Sequence, residues 1–278
     1  MVRIFTKFED IEEDLRANAP EVVYKYRSWN EDFHKDVLRK QAVWFAHPFD
    51  LDDPLDVRPD TVFNNAEFND DRYLQKLINS AGQIHPEVQN PDQLRELAIQ
   101  QWEHTKANPD EIIQAHKQQN LDKSNFDSIG VFSTTINSLS MKIWDEYGDK
   151  NKGFCIGLKT VELCKQMKSG YGYVTYSEEP YKFSFFSDDN ASIDILYLKK
   201  PSWQHEEEFR FITVGAGIYT PRLQNFTTDV VADITLGSDI PQTDEQDILK
   251  VIGQHYPGIP VYKIEVSPSG ALTKNRIK

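Results

Sequence analysis

The chain has 278 residues, 39% hydrophobic and 12% aromatic, enough to bury one large core or two small ones, so a single domain over residues 1–278 is expected. Lys and Arg total 31 against 44 Asp and Glu, a formal charge of -13, so the surface as a whole repels nucleic acid and anionic membranes and any contact with either is local. No apolar run approaches the roughly 20 residues that span a bilayer, and MVRIFTKFEDIEEDLRANAP lacks both a signal core and the acid-poor character of a transit peptide, which predicts a cytoplasmic protein without membrane attachment.

In chain order, Phe8, Ile11 and Leu15 fall on one face of a helix over residues 9–18, ended by Asn-Ala-Pro. EVVYKYRSW then has a strand's composition, with Val22, Tyr24 and Tyr26 on one face and Val23, Lys25 and Arg27 on the other. A short helix follows from Asn30 as cap to about residue 40, and AVWFAHP is a second strand closed by Pro48. Residues 52–128 differ in kind: they are rich in Asp, Asn and Gln and carry helical periodicity, with Pro91 and Pro109 at favoured first-turn positions. They are predicted to be a helical insertion between sheet elements.

Strand patterns return at IGVFST, followed by a helix with Leu139, Ile143, Trp144 and Tyr147 on one face and a stop at Gly148. GFCIGLK alternates, and YGYVTY, IDILYL, EFRFITV, DVVADITLG and PVYKIEV continue the series. Residues 243–255 form a late helix with Thr243 and Gln246 as a capping box, and the tail over residues 267–278 is expected to be loose. Most strands adjoin in sequence without helices between them, so the fold class is α+β, with a mixed, largely antiparallel sheet. The two cysteines, Cys155 and Cys164, have no CxxC spacing and are core residues.

The concentration of charge in KKPSWQHEEEFRFI raises the question of chemistry. In an extended EEEFRFIT, Glu206, Glu208 and Arg210 share one face, and Glu207, Phe209 and Phe211 the other. Two close carboxylates repel and separate their pKa values, while Arg210 can hold one ionised, which suits a base and an orienting partner. A solvated edge with a structural Glu-Arg pair explains the same residues. Ser133, Thr134 and Thr135 end an apolar strand, where hydroxyls position a ligand or a carboxylate, or cap the next helix through Ser133, Thr135 or Ser138. Arg27 can fork onto a phosphate or carboxylate with Tyr24 or Tyr26 stacking on a ring, or be a surface arginine beside core tyrosines. His47 and His205 lack metal-ligand spacing and are expected to be hydrogen-bonded structure. FDLDDPLD lacks the glycine pattern of a calcium loop and fits a proline-fixed turn with capping aspartates.

Together VYKYRS, VWFAHPFDLDDPLD, VFSTTINSLSMKIWDEYGDKNKGFCIGL and KKPSWQHEEEFRF resemble the bacterial family known as domain of unknown function 2971, over about residues 23–237. Its second block usually reads W-x-S-x-P-x-x-F-N-D-P; Ala46 stands here for the serine, and Leu51 and Asp52 for Phe-Asn. More distantly, Arg27, then Phe132-Ser133-Thr134, then Glu206-x-Glu208 is similar to the arginine, aromatic-Ser-Thr-Ser and Glu-x-Glu series of ADP-ribosyltransferases, with Thr135 in place of the last serine. That resemblance implies NAD as substrate and no metal. Glu208 would stabilise the ribose cation, and Glu206 would orient or deprotonate the acceptor. Arg27, with Tyr26, would hold the pyrophosphate end; Ser133, with Thr134, would position Glu208 or the nicotinamide ribose; and Trp144 or Tyr147 would stack on nicotinamide or serve the core. It further implies a bacterial toxin or phage-defence effector, with an acceptor that is protein, nucleic acid or small molecule, and an antitoxin or other regulatory partner. A catalytically silent binding module with a structural Glu-Arg cluster is the alternative, and a metal-dependent nuclease the third reading.

Overall fold

The computed structural model describes residues 8–53, 55–186 and 194–278. Its centre is an eight-stranded sheet in the order β14-β13-β12-β5-β1-β4-β10-β6. The members in chain order are β1 (Val22–Arg27), β4 (Ile129–Thr135), β5 (Phe154–Lys159), β6 (Gly170–Tyr173), β10 (Glu208–Val214), β12 (Val231–Leu236), β13 (Val261–Val266) and β14 (Leu272–Arg276). Every neighbouring pair is antiparallel except β12 with β13. The α+β class with a mixed, largely antiparallel sheet is thus observed. Small two-stranded sheets join β2 (Ala42–Trp44) to β11 (Leu223–Asn225), β3 (Thr61–Phe63) to β8 (Tyr181–Phe183), and β7 (Thr175–Tyr176) to β9 (Leu198–Lys199).

Alternation along the strands gives the sheet two apolar faces. On one, Val23, Phe132, Phe209, Phe211 and Ile156 pack with Leu15 of α1 (Phe8–Asn18), Val37 and Leu38 of α2 (Asp32–Arg39), Leu163 and Met167 of α7 (Thr160–Met167), and Ile248 and Ile252 of α8 (Gln242–His255). On the other, Tyr26 and Cys155 meet Ile143 and Trp144 of α6 (Met141–Glu146), and Val131 and Ile212 meet Leu196 and Tyr197. Full burial of each large apolar side chain in these clusters contributes roughly 1.5–3 kcal/mol. A third cluster, Phe68, Tyr73, Ile113 and Phe185, belongs to α3 (Asp71–Ile84), α4 (Pro91–Ala107), α5 (Pro109–Leu121) and the segments around them. Pro91 and Pro109 open α4 and α5 at the first helical position, as their fixed φ favours. Both cysteines are free and buried.

Strand β5 alternates as expected, with Phe154, Ile156 and Leu158 on one face and Cys155 on the other, and both faces are buried because it lies in mid-sheet. Several local expectations are corrected. The tail forms β14, an edge strand on β13, and its polar composition reflects that edge position rather than looseness. Within IDILYL, Ile195–Tyr197 form a 3-10 turn, followed by the two residues of β9. Helix α8 starts at Gln242 after Pro241 without a side-chain cap, so Thr243 lies inside it. Helix α2 begins after Glu31, not Asn30, and also lacks a side-chain cap. Ser140 caps α6 through its 3.4 Å bond from the Ile143 amide, which leaves Ser133, Thr134 and Thr135 within β4. The proline turn expected in FDLDDPLD centres on Pro54, which lies outside the described residues. Among the described residues, no helix is long and apolar enough to cross a membrane.

Candidate functional site

Strands β1 and β4 are neighbours in the sheet yet pair only at Tyr24↔Thr135. Beyond that point they part, and an isolated bridge from Ala46 to Val131 takes over the free edge of β4. The gap between these two contacts opens a cavity of about 410 Å³, within the usual range for small-molecule sites. Residues from both faces of β1 line it, Tyr24 and Tyr26 as well as Lys25 and Arg27. Phe132, Ser133, Thr134 and Thr135 of β4 line it too, with Tyr147, Lys199, Glu206 and Glu208, and with Phe33, His34 and Trp44 from α2 and β2.

A strand that leaves its partner exposes backbone groups that need other bonds. Lys25 meets one of these needs: its Nζ donates to the Ser133 carbonyl at 2.6 Å. Thr134 Oγ1 donates to the Phe209 carbonyl at 2.5 Å, Tyr26 Oη donates to the Asn137 carbonyl at 2.9 Å, and Thr135 Oγ1 accepts from the Asn137 amide at 3.1 Å. Three of the predicted polar residues thus serve the backbone of the cleft while lining it.

The acidic side of the cavity is densely paired. Glu208 opens β10, and its Oε1 and Oε2 accept from Arg210 Nε and Nη2, both at 2.8 Å. The other edge of the guanidinium donates to Asp56 at 2.8 and 2.9 Å, and Nη1 also reaches the Leu196 carbonyl at 2.6 Å. Arg210 is fully buried, a position that a guanidinium occupies only when its donors are satisfied. Lys199 Nζ bonds Glu206 Oε2 at 2.5 Å and lies 3.4 Å from Glu208 and 3.7 Å from Asp56. Glu206 Oε1 accepts from Tyr147 Oη at 2.5 Å. Three carboxylates and two cations therefore form one network.

Electrostatics differ within that network. Burial raises the Glu208 pKa, but Arg210, Lys199 and the Ser133 hydroxyl outweigh it and hold the carboxyl at about 2. Asp56 is raised, because burial outweighs Arg210 there. Burial would lower the Lys199 pKa, yet Glu208, Glu206 and Asp56 keep it above the ordinary lysine value. Tyr147 is pushed well up, first by burial and then by Glu206, so it stays a donor.

The basic side is built the opposite way. Among the described residues, no carboxylate lies within 4.0 Å of Lys25 or Arg27, and the Arg27 side chain makes one long bond, 3.4 Å, to the Tyr26 carbonyl. Burial lowers the Arg27 pKa to about 10. Burial, then the charge of Arg27, lowers Lys25 to about 7. Burial, then Arg27 and Lys25, brings His34 down to about 4, and its Nδ1 is buried without a hydrogen-bond partner.

Sequence reasoning placed Glu206 and Glu208 on one strand. In the structure Pro201–Glu206 is a 3-10 turn, and Glu207 follows in the left-handed region at φ 45°. That residue reverses the chain, which brings Glu206 beside Glu208 through the shared Lys199 and turns Glu207 outward to Asn137 Nδ2 at 2.7 Å, away from the Phe209 and Phe211 face. Trp144 is fully buried, packs edge-on against Tyr26 with ring centroids 4.8 Å apart, and does not line the cavity. Arg27, Tyr26, Ser133, Thr134, Tyr147, Glu206 and Glu208 do line it. Asp56, Lys199, Lys25 and Trp44 were not singled out from the sequence. His47 caps the turn at Phe49 through Nδ1, and His205 bridges Glu146 and the Ser202 carbonyl, both structural as expected. Among the described residues, no group of three or more His, Cys, Asp and Glu side chains is disposed to hold a metal ion.

Fold and site together define an α+β protein with a cleft through its central sheet, acidic and internally paired on one side, basic and unpaired on the other. Residues 143–211 match the model of a family described as protein of unknown function (DUF2971). The matched stretch carries Tyr147, Lys199, Glu206, Glu208 and Arg210, so most of the acidic side lies within it. The comparisons with curated proteins and with solved structures return no match.

Proposed function

We propose that the protein is an ADP-ribosyltransferase-like enzyme that uses NAD as substrate, in the role of a bacterial toxin or phage-defence effector. One observation carries this reading: Arg27, Ser133 and Glu208, far apart in the chain, line the same cavity. Breaking the bond between nicotinamide and ribose develops positive charge on the ribose as nicotinamide leaves with the bonding electron pair. A carboxylate already ionised and fixed in place stabilises that charge without reorganisation, and Glu208, held by two donors of Arg210, has that character. The acceptor nucleophile completes the transfer by bonding to the ribose carbon and giving its proton to Glu206, the carboxylate that lies nearer the cavity surface. Among the described residues no carboxylate competes for Arg27, which would bind the pyrophosphate.

A second reading has a specific observation in its favour. Both oxygens of Glu208 are occupied by Arg210, which is what a non-catalytic binding module with a structural ion cluster would show. Labelled NAD, incubated with and without cell lysate, separates the two. Nicotinamide release or transferred label that is lost in Glu208→Gln but kept in Glu207→Gln supports the enzyme. A folded protein with neither product in any condition overturns it and leaves the binding module.

A further inference from the structure

Two large aromatic side chains stand exposed where the cavity opens. Phe33 is 68% exposed and Trp44 52% exposed, and both line the cavity. A ring that is exposed and also lines a polar cavity is available to stack on a ligand. Neither is on a loose segment. Phe33 lies in the first turn of α2, its ring 4.2 Å from that of His34. Trp44 ends β2, with its backbone paired to Leu223 of β11. Helix α2 packs against β2, and Phe33 and Trp44 both line the cavity.

The same cavity is lined by Lys25 and Arg27, which among the described residues have no carboxylate within 4.0 Å. Lys25 Nζ is bonded to the Ser133 carbonyl and lies 5.5 Å from the centre of the Phe132 ring, and among the described residues the Arg27 side chain bonds only the Tyr26 carbonyl. Every buried or half-buried cation on the acidic side, by contrast, is met by carboxylates. A flat apolar rim over unpaired cations matches a ligand with an aromatic heterocycle at one end and phosphate at the other. The formal charge of -13 opposes a long polyanion and favours a small ligand.

We propose that Phe33 and Trp44 form a base-binding subsite at the mouth of the cavity, which with Lys25 and Arg27 selects free nucleotides over phosphates that carry no ring. The subsite deepens the NAD reading and rests on it for the ligand class. Titration calorimetry with ADP and with inorganic pyrophosphate tests it on the full chain. Wild type binds ADP more tightly than pyrophosphate. Trp44→Ala and Phe33→Ala each weaken ADP binding about tenfold and leave pyrophosphate binding unchanged, while Trp44→Phe restores most of the ADP affinity. Arg27→Met weakens both ligands. Both aromatic side chains are largely exposed, so the alanine variants retain the wild-type melting temperature, which the same samples check. Equal loss for both ligands in Trp44→Ala, or no preference for ADP in wild type, overturns the subsite. ADP binding that depends on Trp44 in a protein that never releases nicotinamide keeps the subsite and rejects the transferase. Nicotinamide release with an unaltered KM for NAD in both alanine variants rejects the subsite and keeps the transferase.

Discussion

Two groups of charge face one cavity and are built on opposite principles. Asp56, Glu206, Glu208, Lys199 and Arg210 satisfy one another, with Arg210 taking four carboxylate contacts between 2.8 and 2.9 Å. Among the described residues, Lys25 and Arg27 hydrogen-bond only to backbone carbonyls. The first group can hold its charges without help from outside, because each buried ion has a counter-ion in place. The second is under desolvation strain, visible in the lowered pKa values of both cations, and an arriving anion would relieve it. The difference teaches that burial alone does not identify a binding residue: the fully buried Arg210 is spent on its counter-ions, while the half-buried Arg27 is the one prepared for a ligand.

The largest effect that separates the groups is expected at Arg210. Arg210→Met leaves Glu208 and Asp56 buried without their main counter-ion, and thermal or urea denaturation should show a loss of about 3–5 kcal/mol. Arg27→Met should behave in the reverse way. It removes an unpaired cation, so stability is unchanged or slightly higher, while affinity for ADP-ribose falls by about 10- to 100-fold, the effect of one charge-assisted hydrogen bond. Loss of several kcal/mol in Arg27→Met would break the distinction.

A smaller effect is expected from pH. Lys25 is lowered from 10.5 to about 7 by burial, then by Arg27, with Glu208, Glu206 and Asp52 opposing. Below about pH 7 the folded and unfolded chains both carry its proton. Between about 7 and 10.5 only the unfolded chain does, so the Lys25 contribution to stability rises with pH across that window. Binding of ADP-ribose should run the other way, weakening as pH rises from 6.5 to 8.5, and Lys25→Met should flatten both trends. The smallest effect belongs to Glu207. Its side chain is exposed and bonded to Asn137, so Glu207→Gln should change stability by less than about 0.5 kcal/mol and leave NAD turnover as in wild type.

Much of this arrangement was legible in the sequence, for reasons that differ by residue. The sheet class followed from the succession of strand patterns without helices between them. Ser133 is legible as a hydroxyl at a strand end, Arg27 as a guanidinium beside tyrosines, and Glu208 as one of two carboxylates that share a face with Arg210. Asp56 was not legible: it sits in an acidic loop, where one aspartate looks like the next, and its partner Arg210 is distant in the chain. Lys199 is not legible because it ends the two-residue β9, and only the 3-10 turn over Pro201–Glu206 brings Glu206 back to it. Strand β14 was missed because polar LTKNR suits an edge as well as it suits a loop. Trp44 did carry a signal. Alternation in AVWFAHP puts Val43 and Phe45 inside and Trp44 outside, and both are buried while Trp44 is exposed.

The most direct test of the central claim is the rate of nicotinamide release from NAD in wild type, Arg27→Met and Glu208→Gln, each confirmed as folded by its melting transition. The account predicts release by wild type, a raised KM with folding intact in Arg27→Met, and a fall in kcat of at least a hundredfold in Glu208→Gln. Equal rates in all three folded proteins, or no release by wild type with any acceptor preparation, would contradict it.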